Sequence, residues 1–479
     1  MPYHTPQKRQ RALRACDFCH TRGLRCRRGP ESPSQIYESR PGCLTCRDYE
    51  IECTMNRPIR KRGRKPAAPQ PGERGSDQST QHDTGFQSLH AITRLIRIYR
   101  DTMYQCYFPF LSEKDLETRW QNGIPDSNGP SYVLLMALCA VSSQMAALNA
   151  VFDSSLLQGL HIPNSEVYFI QAVSKIPIHI PQSQDFDYLR SFGLLAVYSL
   201  RRGNHRDLNR YLGLYHASVA QNGFHDEGRW PNDITKSDVD DRRRLFWCAY
   251  RLEVHSACVM GHVVRLPESQ ISVLYPRITP AMDPETQAWT AGWDYITDLF
   301  RLLEYAIFSL HGCKSRKPLL AVLHNKPSPM TLLNSLIQLK ESKPSILIGS
   351  TDPHDSFQSN RCRYMHVQII CTETLVHIMA LLYCQASVHE VMALAESFLE
   401  EVTKAPLILF KVASSEIVHQ LLGVGHMVRN ASRFDKGQYG TEAKRIITFL
   451  GDLVRNLEQE IPSAAEAARR LLALAETTS

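Results

Sequence analysis

The chain has 479 residues, of which 43% are hydrophobic and 22% charged, a composition typical of globular proteins rather than of disordered or fibrous ones. Its length allows about three domains of ordinary size. The net charge of +7 is unevenly placed, because residues 1–66 carry +10 and the remainder carries −3. This pattern is typical of a cationic module attached to a near-neutral body, and the most common partner of such a module is nucleic acid.

Residues 1–15 form a polar and basic arm without an apolar stretch, so we expect no secretory signal there. Without export, the 14 cysteines are expected to be reduced thiols, and clustered ones to be metal ligands or catalysts rather than disulfide partners. Eight of them are scattered singly and are expected to behave as small buried hydrophobic residues.

The other six cysteines form two halves of identical spacing, C-x2-C-x6-C, separated by 16 residues. They are Cys16, Cys19, Cys26, Cys43, Cys46 and Cys53. Thiolates in closed tetrahedral sites favour Zn²⁺. One zinc ion would leave two thiols unused, and two separate ions need eight ligands, whereas two ions that share two sulfurs use all six. The spacing therefore predicts a structural cluster of two zinc ions per chain over residues 16–53, with no open ligand position for catalysis.

A single zinc ion held by the first two cysteines of each half is the alternative. In that arrangement 23 residues separate the two pairs, more than the roughly 15–20 residues of the usual zinc ribbon. It would also leave Cys26 and Cys53 unexplained at their matched positions. We favour the two-zinc cluster.

Residues 54–85 are predicted to be a basic segment followed by a disordered linker. Six basic residues lie within nine positions: Arg57, Arg60, Lys61, Arg62, Arg64 and Lys65. Such a run is a nuclear-import signal, an arm that contacts DNA phosphates, or both. A minor-groove hook centred on residues 62–64 is the less favoured alternative, because a lysine follows where such hooks have proline. Residues 66–85 have almost no aliphatic side chains and cannot bury enough surface to become ordered.

Residues 86–479 show helical periodicity and almost no strict alternation, which predicts a large all-α body. The apolar stripe from Leu89 to Cys106 is too short for a dimerising coiled coil, so we interpret it as the first helix of the body. Residues 132–152 are uncharged, but polar side chains at their centre favour a buried helix over a membrane span. Further helices are expected over 187–200, 209–222, 238–261, 289–310, 363–385, 388–404, 415–430, 441–460 and 463–477.

Residues 14–26 (RACDFCHTRGLRC) and 43–53 (CLTCRDYEIEC) resemble the fungal Zn(II)2Cys6 binuclear-cluster transcription factors. The resemblance implies that Cys16 and Cys43 bridge the two ions, that Cys19 and Cys26 complete one site, and that Cys46 and Cys53 complete the other. Each half would form a short helix followed by an extended strand, and the end of the first helix would enter the major groove of DNA.

The same resemblance implies the DNA contacts. Arg22 would contact a guanine base, but Gly23 stands where the family usually has a second basic residue, so the half-site sequence stays open beyond containing guanine and cytosine. Phosphate contacts are expected from five further side chains, namely His20, Arg25, Arg27, Arg28 and Arg47.

Two stretches of the body, 206–225 (RDLNRYLGLYHASVAQNGFH) and 242–253 (RRRLFWCAYRLE), are similar to the fungal-specific transcription factor regulatory domain, also called the middle homology region. The three arginines at 242–244 could contact a ligand or co-regulator. We favour a core helix whose arginines form ion pairs.

Together these features predict a nuclear, sequence-specific DNA-binding transcription factor for RNA polymerase II genes, with double-stranded DNA as its partner and no membrane association. The alternative is a zinc-stabilised protein- or RNA-binding adaptor without sequence preference on duplex DNA. An all-α enzyme would need a catalytic constellation in residues 86–479, and the sequence offers none, so we expect no enzymatic activity. A monomer and a homodimer formed through the body both agree with the sequence.

Overall fold

The computed structural model describes residues 15–21, 26, 43–48, 53–54, 89–106, 111–159, 164–177, 185–311, 328–344, 359–433 and 439–478. Contacts divide the chain into two compact units, Met1–Thr80 and Gln81–Ser479. The division falls within the segment 54–85 that the sequence predicts to be a linker. The predicted N-terminal arm and that linker lie outside the described residues, except for Ala15 and Thr54.

The first unit contains two short helices, α1 (Asp17–Thr21) and α2 (Leu44–Asp48). Each begins directly after the first cysteine of one half-motif. The buried core around these helices consists of cysteine side chains: Cys16, Cys19, Cys43 and Cys46. The residues that would form the predicted strands, 22–25 and 49–52, lie outside the described part of the chain.

The second unit is built from helices. They are α3 (Leu89–Asp101), α4 (Met103–Cys106), α5 (Glu113–Thr118), α6 (Pro130–Ala147), α7 (Ser165–Ser174), α8 (Phe186–Arg201), α9 (His205–Asn222), α10 (Lys236–Met260), α11 (Pro284–His311), α12 (Pro329–Glu341), α13 (Asn360–Tyr383), α14 (Val388–Val402), α15 (Leu407–Ala413), α16 (Ser415–Ser432), α17 (Gly440–Arg455) and α18 (Ala464–Glu476). In the described residues β structure is limited to one isolated bridge between Asp226 and Ser272. The prediction of a large all-α body is confirmed.

Every long helix predicted from periodicity is present, with ends that differ by a few residues. The buried face of α3 includes Leu95 and Ile98 besides Ile92 and Tyr99, so it is wider than a coiled-coil seam, whereas Leu89 at the helix start is 45% exposed. Packing against α6 determines which face is buried. The sequence analysis missed α5, α7, α12 and α15.

Among the residues that the structure describes, two helices, α6 and α13, are long and apolar enough to cross a membrane, and α15 with α16 would qualify as a pair bent by 100°. In α6 every residue from Tyr132 to Ala146 is buried. This helix packs against α3, α7 and α8, while α13 packs against α11, α14 and α16. The uniform hydrophobicity of α6 is therefore explained by helices on all its sides, as the sequence analysis expected for residues 132–152.

Polar contacts connect the end of α8 with α15 and the start of α16. The fully buried side chain of Arg201, at the end of α8, donates hydrogen bonds to the carbonyl oxygens of Lys411 and Val412 in α15. Ser414 and Ser415 donate in turn to the carbonyl oxygen of Arg201. These bonds satisfy backbone groups at two helix ends, which would be costly to bury without partners. They fix α16 against α8.

The scattered cysteines mostly behave as expected. Cys139, Cys248, Cys362 and Cys371 are buried in the helical unit, and Cys258 and Cys384 are partly buried. The side chains of Cys106 and Cys313 are outside the described part of the chain.

Candidate metal centre

The structure brings the six clustered cysteines together in two groups of four. One group contains Cys16, Cys19, Cys26 and Cys43, and the other contains Cys16, Cys43, Cys46 and Cys53, with all sulfurs of a group within 4.8 Å of one another. Cys16 and Cys43 belong to both groups. This is the division of ligands that the resemblance to binuclear clusters implies.

The distances between sulfurs suit zinc. The Sγ atom of Cys43 lies 3.8 Å from that of Cys16 and 3.6 Å from that of Cys19, and the Sγ atoms of Cys16 and Cys46 are 3.4 Å apart. Two sulfurs bound to one tetrahedral zinc ion at about 2.3 Å are about 3.8 Å apart. The donor set and its spacing are therefore suited to binding zinc.

The two halves hold their shared sulfurs in the same way. The backbone N–H of Cys19 donates to the Sγ of Cys16 across 3.5 Å, and the backbone N–H of Cys46 donates to the Sγ of Cys43 across 3.3 Å. In each half the sulfur of the first cysteine thus accepts a hydrogen bond from a backbone N–H in the first turn of the helix that follows it. A helix-capping side chain does the same. The repeated spacing in the sequence corresponds to a repeated local structure.

A contact that the sequence analysis missed joins the two ends of the cluster. The backbone N–H of Asp17 donates to the carbonyl oxygen of Thr54 across 2.9 Å, and the hydroxyl of Thr54 donates to Oδ2 of Asp17 across 3.0 Å. In addition, the N–H of Cys43 donates to the Sγ of Cys53 across 3.3 Å. No sequence motif marks the Asp17–Thr54 pair, because its members are 37 positions apart.

Crowding of the sulfurs opposes their ionisation in the absence of a cation. Burial, together with hydrogen bonds and repulsion from Cys16 and Cys43, raises the pKa of Cys19 to about 12. Burial also acts to raise the pKa of Cys43, but the N–H and thiol groups around it outweigh this effect and lower the pKa to about 6. Only some of the thiols can ionise together, so a full set of thiolates needs positive charge at the centre of the groups. Zinc ions would supply that charge and close the structural cluster.

The predicted DNA-contacting residues are less fully described. His20 lies on α1 and is exposed. Arg47 lies in α2. The other predicted contacts fall outside the described residues: Arg22, Arg25, Arg27, Arg28 and the basic run 57–65.

The arginines at 242–244 lie on α10, and the structure favours the ion-pair interpretation over a ligand contact. Arg243 donates two hydrogen bonds of 2.8 Å to the carboxylate of Glu227. Arg244 lies 3.4 Å from Asp241, and the guanidinium of Arg242 stacks 4.8 Å from the ring centre of Phe186. Arg242 and Arg243 thus connect the start of α10 to neighbouring segments, whereas the Arg244–Asp241 pair lies within the helix.

Comparison with known families identifies the helical unit. The model of the fungal specific transcription factor domain matches residues 96–370, more than half of the chain. The chain belongs to this family. Neither a curated relative nor a solved structure matches it significantly.

Membership assigns the protein a role in transcription regulation. The matched region runs from within α3 into α13 and contains both stretches, 206–225 and 242–253, whose similarity to this domain is seen in the sequence. The cysteine groups lie N-terminal to it, so the metal centre rests on its own geometry.

Proposed function

We propose that this protein is a nuclear, zinc-dependent, sequence-specific DNA-binding regulator of RNA polymerase II transcription. In this proposal all six clustered cysteines bind two zinc ions, with Cys16 and Cys43 shared. The zinc cluster positions α1 and the arginines around it against duplex DNA. The helical unit carries the regulatory role that family membership assigns.

The observation that carries the proposal is the pair of four-sulfur groups sharing two cysteines. A binuclear cluster is a structural device, since every ligand position on both ions is occupied and none is open for substrate. The unit that holds it belongs to the basic part of the chain, residues 1–66, with a net charge of +10. A rigid, closed and strongly cationic unit attached to a transcription regulatory domain is suited to binding DNA rather than to catalysis.

The DNA contacts divide into two kinds. Arg22 is proposed to read a guanine through a forked pair of hydrogen bonds, worth roughly 1–3 kcal/mol of discrimination. The phosphate contacts are proposed for His20, Arg25, Arg27, Arg28 and Arg47, with the basic run 57–65 as an additional arm and nuclear-import signal. Phosphate contacts position the protein without conferring sequence preference.

The deciding experiment is selection from random duplex DNA with the full-length protein, before and after removal of zinc and again after its return. We expect enrichment of a guanine- and cytosine-containing motif that disappears with a chelator and returns with zinc. Native mass spectrometry of the same sample should count two zinc ions per chain.

Two variants test the assignment of contacts. Arg22→Ala should relax preference at one position of the selected motif, whereas Lys61→Ala should weaken binding to all sequences alike and reduce the dependence on salt by about one phosphate contact. Equal effects of the two variants would contradict the base contact of Arg22. Zinc-loaded protein that enriches no duplex motif would favour the adaptor function instead.

A further inference from the structure

A cavity in the helical unit with a mixed polar and apolar lining has a volume of about 520 Å³. It lies where α9, α10 and α16 meet the start of α18, with α11 and α13 completing its walls. Its apolar lining includes Val259, Leu303, Leu375 and Leu422. The volume is within the range of roughly 300–1,000 Å³ that small-molecule sites have in proteins.

Three histidines from three different helices meet at this cavity. Nε2 of His255 lies 3.3 Å from Nδ1 of His419, and the ring centres of His205 and His419 are 5.0 Å apart. Sequence reasoning found no histidine pair at useful spacing, because these residues come from positions 205, 255 and 419. A fourth histidine, His426, lines the same cavity about two turns after His419 in α16.

The histidines are neutral at physiological pH. Burial lowers the pKa of His255 to about 4 and, with repulsion from His255, His205 and Arg470, that of His419 to about 2. Burial also lowers the pKa values of His205 and His426. The cluster therefore offers neutral hydrogen-bonding rings rather than fixed charge.

One formal positive charge at the cavity is not balanced by the described residues. Arg202 pairs with Glu166, and Glu466 pairs with Arg469. Arg470 lines the cavity, and in the part of the chain that the structure describes no carboxylate pairs with it. An anionic group entering the cavity would find this guanidinium and would be favoured by it.

We propose that this cavity binds a small organic acid, with its carboxylate at Arg470, its hydrogen-bonding groups at the His255–His419 pair and its apolar portion against Leu303, Leu375 and Leu422. The cavity has the combination that such ligands need, apolar walls with a few convergent polar groups. A carboxylate is the fitting charged group because it matches the forked donors of arginine.

A metal ion fits this cavity less well than an organic acid does. Within the described residues, the side chains close enough to hold a metal ion are the clustered cysteines, and the histidines of the cavity do not form such a group. The proposal concerns the helical unit alone, and it stands or falls independently of DNA binding by the zinc cluster.

The test measures binding of 2-naphthoate and its neutral amide, 2-naphthamide, to the full-length zinc-loaded protein by saturation-transfer NMR. For ligands of this size we expect Kd of about 1 mM or tighter for the acid. The acid should bind at least about tenfold more tightly than the amide, since a charge-assisted pair contributes more than a neutral hydrogen bond.

The matched variants are Arg470→Gln and Arg455→Gln. Both arginines are exposed, but Arg455 lies on α17 beside Asp452, away from the cavity. Arg470→Gln should remove the preference for the acid over the amide, and Arg455→Gln should leave it unchanged. Unchanged helicity by circular dichroism shows that both variants remain folded.

Equal binding of acid and amide, absence of saturable acid binding at 10 mM, or full retention of the preference in Arg470→Gln would each overturn the proposal.

Discussion

Each of the two units of this protein has a different kind of core. In the first unit the buried core is a set of cysteines around two helices of five residues each. Helices this short are not stable by themselves in water. In the second unit long helices bury aliphatic and aromatic side chains, as α6 does on every side. If the cysteines bind zinc as proposed, the first unit depends on metal binding for its stability, whereas the second depends on removal of apolar surface from water.

The largest expected effect comes from removing one of the shared sulfurs. In Cys43→Ser both four-sulfur groups lose a member, so we expect loss of both zinc ions and of the structure of residues 16–53. Structural zinc contributes about 10–16 kcal/mol of apparent binding free energy in small domains. Native mass spectrometry counts the zinc, and circular dichroism follows thermal unfolding of the helical unit, which should not change.

The control is Cys384→Ser, which changes a partly buried cysteine of the helical unit and should leave the zinc count intact. Two zinc ions retained in Cys43→Ser would show that the sulfur is not shared. A large drop in the unfolding temperature of the helical unit would contradict the independence of the two units.

A second prediction concerns one of the charged groups buried in the helical unit, the carboxylate of Glu253 on α10. It accepts three hydrogen bonds from Arg265, of 3.0, 2.9 and 2.6 Å, and lies 3.4 Å from Nε2 of His216. Breaking a buried ion pair by removing one partner costs roughly 3–5 kcal/mol. Glu253→Gln should lower the free energy of unfolding in urea by about this amount at pH 7.

The pH dependence of that cost has a definite sign. Burial acts to raise the pKa of Glu253, but His216 and Arg265 outweigh it and lower the pKa to about 2 from 4.5. The stabilisation is therefore fully present above pH 4.5 and is lost as the pH falls towards 2. The difference in unfolding free energy between wild type and Glu253→Gln should narrow over that range. A difference that stays constant would show that Glu253 acts through packing rather than charge.

The smallest expected change in stability comes from replacing the glycines that end two helices. Comparing the two variants separates the cost of backbone strain from the cost of crowding by a neighbouring side chain. Gly223 and Gly261 end α9 and α10 with φ of 65° and 70°. A Cβ at Gly261 would meet nothing within 4 Å, whereas one at Gly223 would lie 2.6 Å from Cδ of Arg229. Gly261→Ala should cost about 1 kcal/mol, the usual strain of a left-handed residue. Gly223→Ala should cost more in the same urea titration, and equal costs would show that Arg229 moves aside freely.

Helical periodicity of apolar residues, sustained over long segments, made most of the fold predictable from the sequence. The apolar repeat identified α9, which ends at Gly223, and Pro462 lies between α17 and α18. The short helices were missed because they carry too little pattern: α5 buries only Leu116, and α15 is apolar at nearly every position. Both are determined by tertiary contacts rather than by local periodicity.

The cysteine groups and the histidine cluster also differ in how well the sequence predicts them. The cysteine groups were predictable because their ligands lie within 38 positions and repeat the same spacing. The histidine cluster was not, since His205, His255 and His419 come from helices far apart in the chain. A metal centre built from local repeats leaves a motif, whereas a cavity assembled by helix packing leaves none.

The contact between Asp17 and Thr54 has a topological consequence. It places the point where the chain enters the cysteine unit beside the point where the chain leaves it. The two ends of the unit are therefore neighbours, so they could be joined and the chain reopened elsewhere, as circular permutation requires.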